Sequence, residues 1–271
     1  MKKLFVGMVL LTAVLFSKAQ QNDTLYVYGP GGPQAAMADC SAVFSKKMSM
    51  PVKVIAGPEA KWIDQAKQNA DVVYGGAEYM LTQFKLQHPG LMDSTTRTEL
   101  YKRAAGILVR PGNPKQIKAL KDLIRPGINI LEITAAGQLG MWEDLAGKQN
   151  LIGGIQNNIK GPFANTALAI EAWKSDNKYD AIIIFSSWYL RLKEVSQLVT
   201  IPPSQTVYRG TPIAITTITN KKNEGQKFIQ FLLSNDGHAI FKNGDGNKSK
   251  VHRIKEKLSC LNFLLMYTKA C

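Results

Sequence analysis

The chain has 271 residues, 45% of them hydrophobic and 20% charged, a balance that suits one large domain or two modest lobes and excludes wholesale disorder. Only the N-terminus carries a long apolar run, which excludes a polytopic helical membrane protein. Three cysteines without a CxxC pair, and three scattered histidines (His88, His238 and His252), exclude a disulfide framework, a Cys-rich zinc site and an HExxH metal centre. The formal net charge is +14, but three lysines lie in the first 18 residues and a net five positive charges lie from Lys242 onward. The stretch between them carries only +6. That excess suits the attraction of small anions. No Lys/Arg stripe interleaved with aromatics marks a surface for DNA or RNA, so no nucleic acid is expected as a partner.

The first segment reads as an address. Lys2 and Lys3 precede an apolar run from Leu4 to Phe16, and Ser17-Lys18-Ala19 places small residues at −3 and −1 of a cut before Gln20. Residues 1–19 are therefore expected to be a cleaved secretory signal peptide, shorter in its apolar part than the roughly 20 residues of a membrane span. No cysteine follows the cut to take a lipid, and the expected compartment is the periplasm. Cys40, the only thiol before the tail, is expected to be a small apolar filler on a helix.

Strand and helix patterns then alternate. Leu25 to Tyr28 reads as a strand, Pro33 to Met48 as a helix with Ala36, Cys40, Val43, Phe44 and Met48 on one stripe, and Pro51 to Ile55 as a second strand. A helix near 60–69, a strand from Asp71 to Tyr74 and a helix over 78–87 follow. Ala104 to Val109 is an apolar strand ending at Arg110-Pro111-Gly112, after which the rhythm restarts: helix 115–124, strand 128–134, helices 137–150 and 163–174, strand 181–185. Late in the chain come a strand over 211–218 and helices over 224–233 and 235–241. Strands alternating with helices imply βαβ units and a mostly parallel sheet. The mid-chain restart implies an α/β fold of two lobes.

The turns after strands carry the candidate chemistry. Gly31 and Gly32 follow the first strand, Gly57 the second, and Gly75 and Gly76 the third. Gly137, Gln138 and Gly140 follow the strand over 128–134, and Ser186 and Ser187 the strand over 181–185. In open α/β sheets ligands bind beyond the carboxyl ends of the strands. Helix N-termini present free N–H groups there, and glycine lets an anion approach the backbone. Tight βα geometry alone also explains any one such glycine; their recurrence in both halves favours binding.

Specific catalytic and nucleotide motifs fail on spacing. Gly140 and Gly147-Lys148 enclose six residues where a P-loop needs four, and Gly29-Pro30-Gly31-Gly32 is not GxGxxG. No GxSxG elbow occurs. The carboxylates Glu78, Glu132, Glu143 and Asp144 lack a nucleophile–base arrangement, so no enzyme, no catalytic residue and no cofactor is expected. Asn243-x-Asp245-x-Asn247 resembles a calcium loop only in part, because Lys248 replaces its glycine and Ile254 its final glutamate; no metal site is expected.

Several segments in order, from about Leu25 to Phe241, resemble the accessory colonisation factor C group of periplasmic solute-binding proteins, relatives of the sulfate and molybdate binders. They are 25–33 (LYVYGPGGP), 56–58 with Trp62-Ile63, 76–80 (GAEYM), 108–114 (LVRPGNP), 136–144 (AGQLGMWED) and 208–212 (YRGTP). The resemblance implies a type II periplasmic binding protein fold: two Rossmann-like lobes, two crossover strands and a ligand cleft. It places lobe 1 at 24–107 plus 209–241 and lobe 2 at 108–208. It implies capture of a small anion, an inorganic oxyanion or a small organic or phosphorylated acid, and its delivery to an inner-membrane ABC permease. A surface antigen or adhesin on the same fold is the alternative, and a homodimer is left open. Mapped onto this chain, the ligand contacts would be Gly31, Gly32, Gly57, Gly75, Gly76, Gly137, Gln138, Gly140, Asn165, Thr166, Ser186, Ser187 and, through a charge-assisted contact, Arg209. Related sequences often carry a hydroxyl residue where this chain has Gly75-Gly76-Ala77, which weighs against a sulfate-like ligand. The implied hinge lies near Arg110 and at 205–208.

The tail departs from this pattern. Family members commonly end near here with Lys-Lys-Trp-Gly-Trp; loss of one A from a run of A in that coding stretch yields Lys-Asn-Gly-Asp-Gly, which is 242–246 in this chain. Residues 242–271 are therefore expected to be an aberrant, frameshifted and disordered end.

Overall fold

The computed structural model describes residues 24–134 and 136–243; the expected leader, and the expected aberrant tail beyond Asn243, lie outside the described residues. The first lobe begins with β1 (Leu25–Gly29), α1 (Gln34–Met48), β2 (Val52–Ala56), α2 (Ile63–Asn69), β3 (Val72–Tyr74) and α3 (Glu78–Gln87). Strand β1 lies between β2 and β3 and is parallel to both, with Tyr28 opposite Ile55 on one side and Val73 on the other. The twelve-residue strand β4 (Thr98–Val109) then leaves this lobe. The second lobe contains β5 (Ile130–Ile133), α4 (Met141–Gly147), α5 (Ile152–Asn158), β6 (Ile159–Phe163), α6 (Thr166–Ser175), β7 (Ala181–Phe185), α7 (Tyr189–Leu192) and β8 (Gln197–Thr200). Strand β9 (Tyr208–Ile215) returns to the first lobe, where α8 (Lys222–Leu233) and α9 (Asn235–Asn243) end the fold.

The strand order is β2-β1-β3-β9-β4-β7-β5-β6, with β8 also paired to β4. Strand β4 changes partners along its length. From Thr98 to Ala104 it is antiparallel to β9, and from Ala105 to Val109 it is antiparallel to β7. The return crossing lies beside it: Ala105 donates its N–H to the Val207 carbonyl, and the Thr206 hydroxyl donates to the Ala105 carbonyl. Two adjacent crossovers thus carry the sheet from one set of apolar clusters to the other.

Each lobe has apolar layers on both faces of its sheet. In the first lobe, Met37, Cys40 and Phe44 of α1 pack with Phe228 and Leu232 of α8 on one face, while Trp62, Leu81 and Phe84 pack on Tyr28 and Val73 on the other. In the second, Ile107, Ile183, Leu145 and Ile155 form one layer and Leu108, Ile182, Ala169 and Trp173 the opposite one. Alternate residues of the central strands thus enter opposite cores, the period-two consequence of a sheet covered on both faces.

The structure corrects parts of the sequence reading. The helix expected over 115–124 is a loop followed by a 3₁₀ turn at Leu120–Ile124. Asn113 and Gln116 adopt left-handed backbone, and the Asn113 side chain accepts from the Ile117 N–H and donates to its carbonyl, holding a turn that competes with a helix. The long helix expected over 137–150 is divided into a 3₁₀ turn at Ala136–Gln138 and α4, with Gly140 between them in left-handed backbone. Strands β6 and β8 were not foreseen, and Lys242 and Asn243, expected in the aberrant tail, form the last turn of α9.

Candidate functional site

The carboxyl ends of β1, β3, β5 and β7 bring their turns to the line where the lobes meet. In the first lobe these turns are fixed by internal bonds. Gly57 donates its N–H to the Gly29 carbonyl, and its own carbonyl accepts from the Trp62 indole. Gly75 donates to the Pro212 carbonyl, and the Tyr74 hydroxyl donates to the Pro30 carbonyl. A Cβ on Gly29 would lie 2.6 Å from the Tyr74 ring, and one on Gly75 would lie 2.8 Å from Pro212. The N–H groups of Gly57, Gly75 and Gly76 are thus committed within the protein, that of Gly76 to Met80 Sδ at 3.2 Å. Gly32 and Gly76 are the glycines of this lobe that face the junction.

Across the junction, a Cβ on Gly137 would come within 2.4 Å of the Gly76 carbonyl oxygen. The lobes touch through bare backbone at this point, and no side chain fits between them. Beside Gly137, the buried Gln138 donates to the Thr166 hydroxyl at 3.1 Å, while its Oε1 is enclosed without a partner. Asn165 caps α6 by accepting the Leu168 N–H, which leaves Thr166 at the first position of that helix. Ser186 packs against Gly106, where a Cβ would meet its hydroxyl at 2.5 Å. Ser187 faces a cavity of about 300 Å³ that Gly32 also lines.

The group at the floor of this arrangement was not foreseen. Arg103, on β4 just before the crossing, donates through Nη2 to the Gly76 carbonyl and lays its guanidinium 4.0 Å over the Phe185 ring. Its Nη1 is the atom nearest to a Cβ placed on Gly32, at 3.9 Å, and its Nε is closed off from solvent without a partner. Burial pushes the guanidinium down to about 10, with Glu78 acting in the opposite direction. The group therefore remains a cation at neutral pH in a place that supplies it little solvation, and such a charge favours an anionic partner. Its one sequence signal was the charged pair Lys102-Arg103 directly before a fully apolar strand.

Arg209, the expected charge-assisted contact, keeps its Nε closed off from solvent without a partner, as Arg103 does. It pairs with Asp144 of α4 across the junction, while the neighbouring Gly210 N–H donates to Glu78 Oε1 at 2.5 Å. Tyr79 of α3 hydrogen-bonds the Leu139 backbone of the other lobe. The Arg209–Asp144 and Tyr79–Leu139 contacts join the lobes, while the Gly210–Glu78 bond lies within the first lobe. Gly140 forms the left-handed N-cap of α4, with open space beside its Cα. The remaining carboxylates also have structural surroundings: Glu132 accepts from the Trp142 indole at 2.8 Å, and burial raises the Glu143 carboxyl. Among the described residues, no group of three or more His, Cys, Asp or Glu side chains is placed to hold a metal ion, and no helix is long and apolar enough to cross a membrane.

Two lobes, two crossovers and converging turns match a known class. Residues 25–244 match the family described as bacterial extracellular solute-binding protein. The chain belongs to that family. Among solved structures, PEB3 with bound L-phospholactate is 31% identical, covers 82% of this chain and 98% of its own, and superposes with a TM-score of 0.74. Peb3 from Campylobacter jejuni is 30% identical with the same coverage and a TM-score of 0.73. The sulfate-binding protein SubI of Mycobacterium tuberculosis, at 17% identity, covers 87% of this chain and 91% of its own with a TM-score of 0.67, and shares the fold. Among curated proteins no relative is found. The fold is the type II periplasmic binding protein fold expected from the sequence.

Proposed function

We propose that this chain captures a small anion between its lobes in the periplasm and presents the closed form to an inner-membrane ABC permease. The single observation carrying this reading is Arg103, a cation with an enclosed, unpartnered Nε at the point where Gly32 and Gly76 of one lobe approach Gly137 and Ser187 of the other. Backbone N–H groups and a desolvated guanidinium are suited to binding a negative charge without protonating it. The L-phospholactate bound to PEB3 supports a phosphorylated or organic acid as the ligand. The N-terminal segment would direct export and be removed before Gln20. Binding and release of the unchanged ligand, rather than turnover, is the activity this geometry serves.

The test is a thermal-shift panel of sulfate, molybdate, phosphate, citrate and phosphorylated acids, with Arg103→Gln beside the unmodified chain. A true ligand at 100 times its Kd should stabilise the protein by about 2.7 kcal/mol, and Arg103→Gln should abolish the shift. A shift that persists undiminished in that variant would refute the assignment of Arg103.

A further inference from the structure

The glycine amides of the first lobe are held by acceptors of unequal strength. Those of Gly57 and Gly75 donate to the carbonyls of Gly29 and Pro212. That of Gly76 donates to a sulfur, Met80 Sδ. A thioether is a weak acceptor, and the three rotatable bonds of methionine let it leave a contact easily. Met80 is the third residue of α3 and is half-buried; its side chain turns back over the start of its own helix. Ala77, the residue before that helix, offers no side-chain acceptor in its place. The carbonyl of Gly76, by contrast, is fixed by a charge, because it accepts from Arg103 Nη2. The weakly held amide therefore sits beside the enclosed guanidinium, where the second lobe comes closest. A Cβ placed on Gly76 would lie 3.3 Å from the Met80 sulfur and 3.6 Å from the Gly137 nitrogen.

We infer that Met80 is a displaceable placeholder in the anion site: its sulfur holds the Gly76 N–H until an anion takes it, and oxidation of that sulfur closes the site. This rests on the anion-capture reading above. A hydrogen bond to an anionic oxygen is roughly twice as strong as one between neutral groups, so the exchange favours the ligand over the thioether. A two-electron oxidation by a peroxide reverses that order. The sulfur lone pair takes one peroxide oxygen, the O–O bond breaks, and the peroxide leaves as water or an alcohol, reduced by the two electrons the sulfur has lost. The S=O group that remains is a strong acceptor and keeps the N–H. Met37 and Met141 are enclosed in the cores and shielded from this chemistry, whereas Met48, the last residue of α1, is exposed and reports that the oxidant has acted.

Two substitutions of similar size test this with opposite signs. Met80→Leu keeps the volume and removes the acceptor, while Met80→Gln puts a carbonyl oxygen near the place of the sulfur. In calorimetry on the whole chain with inorganic phosphate, citrate and phosphoglycolate, Met80→Leu should bind about three- to tenfold more tightly and Met80→Gln about tenfold more weakly. Hydrogen peroxide should weaken the unmodified chain as Met80→Gln does and leave Met80→Leu unchanged, with peptide mapping showing Met48 oxidised equally in both. Thermal melts report the folding of each variant. Weaker binding by both folded variants, no change in either, or an equal response of the two proteins to peroxide would overturn the role of Met80 and leave anion capture intact. Failure of all three anions to bind the unmodified chain would overturn both.

Discussion

The two lobes use the same sequence signal, a glycine after a strand, for different physical reasons. In the first lobe Gly29 and Gly75 are required by packing within the lobe, against Tyr74 and Pro212, and the N–H of Gly75 is committed to a carbonyl. In the second lobe Gly137 is required by the other lobe, because its Cα faces the Gly76 carbonyl across the cleft. One set of glycines is required by packing within a lobe and the other by packing between the lobes.

The contrast can be broken by substitution. Gly137→Val should reduce ligand affinity on the order of 100-fold by depriving the closed form of its contact, with the melting temperature of the ligand-free protein almost unchanged. Gly29→Ala should do the reverse, destabilising the first lobe by about 1–3 kcal/mol through overpacking on Tyr74. Calorimetry and thermal melts on both variants would separate these outcomes, and equal loss of stability in the two would remove the distinction.

A smaller effect is expected at the rim. Asp144→Asn removes the pairing with Arg209, whose partner carboxylate is half exposed, so its cost should stay below about 1 kcal/mol. Affinity should fall by at most about fivefold, and the difference from the unmodified chain should shrink as salt is raised. The smallest effect concerns Cys40. Burial pushes its thiol up to about 12, against about 8.5 in an unfolded chain. The folded state therefore holds this proton more firmly, and the associated stability is complete below about pH 8.5 and declines as pH rises toward 12. Peptide-mapped alkylation at pH 8 should leave Cys40 unmodified until denaturant is added.

Much of the frame was legible because it rests on local pattern. The alternation of strands and helices placed β1, α1, β3, α3 and β7 nearly where they lie; of the turns read from glycine and serine positions, the structure sets Gly76 against Gly137 and puts Gly32 and Ser187 on one cavity. Arg103 was missed because the expected strand began at Ala104; the true β4 begins at Thr98, and only its pairing with β9 shows that a charged side chain at its middle reaches the Gly76 carbonyl. The pairing of Arg209 with Asp144, 65 residues earlier in the chain, was not legible because nothing local connects the two. The helix expected over 115–124 failed for a local reason, the Asn113 side chain holding its own turn.

By itself, then, the order of residues determined that this protein is a two-lobed α/β chain with glycine turns at its strand ends, since hydrophobic periodicity and glycine placement act over a few residues. Only the tertiary structure decided which turns confront one another, which amides are already committed and which cations are left under-solvated between them. Those properties depend on strand register and on contacts between distant segments, and no short stretch of sequence contains both partners.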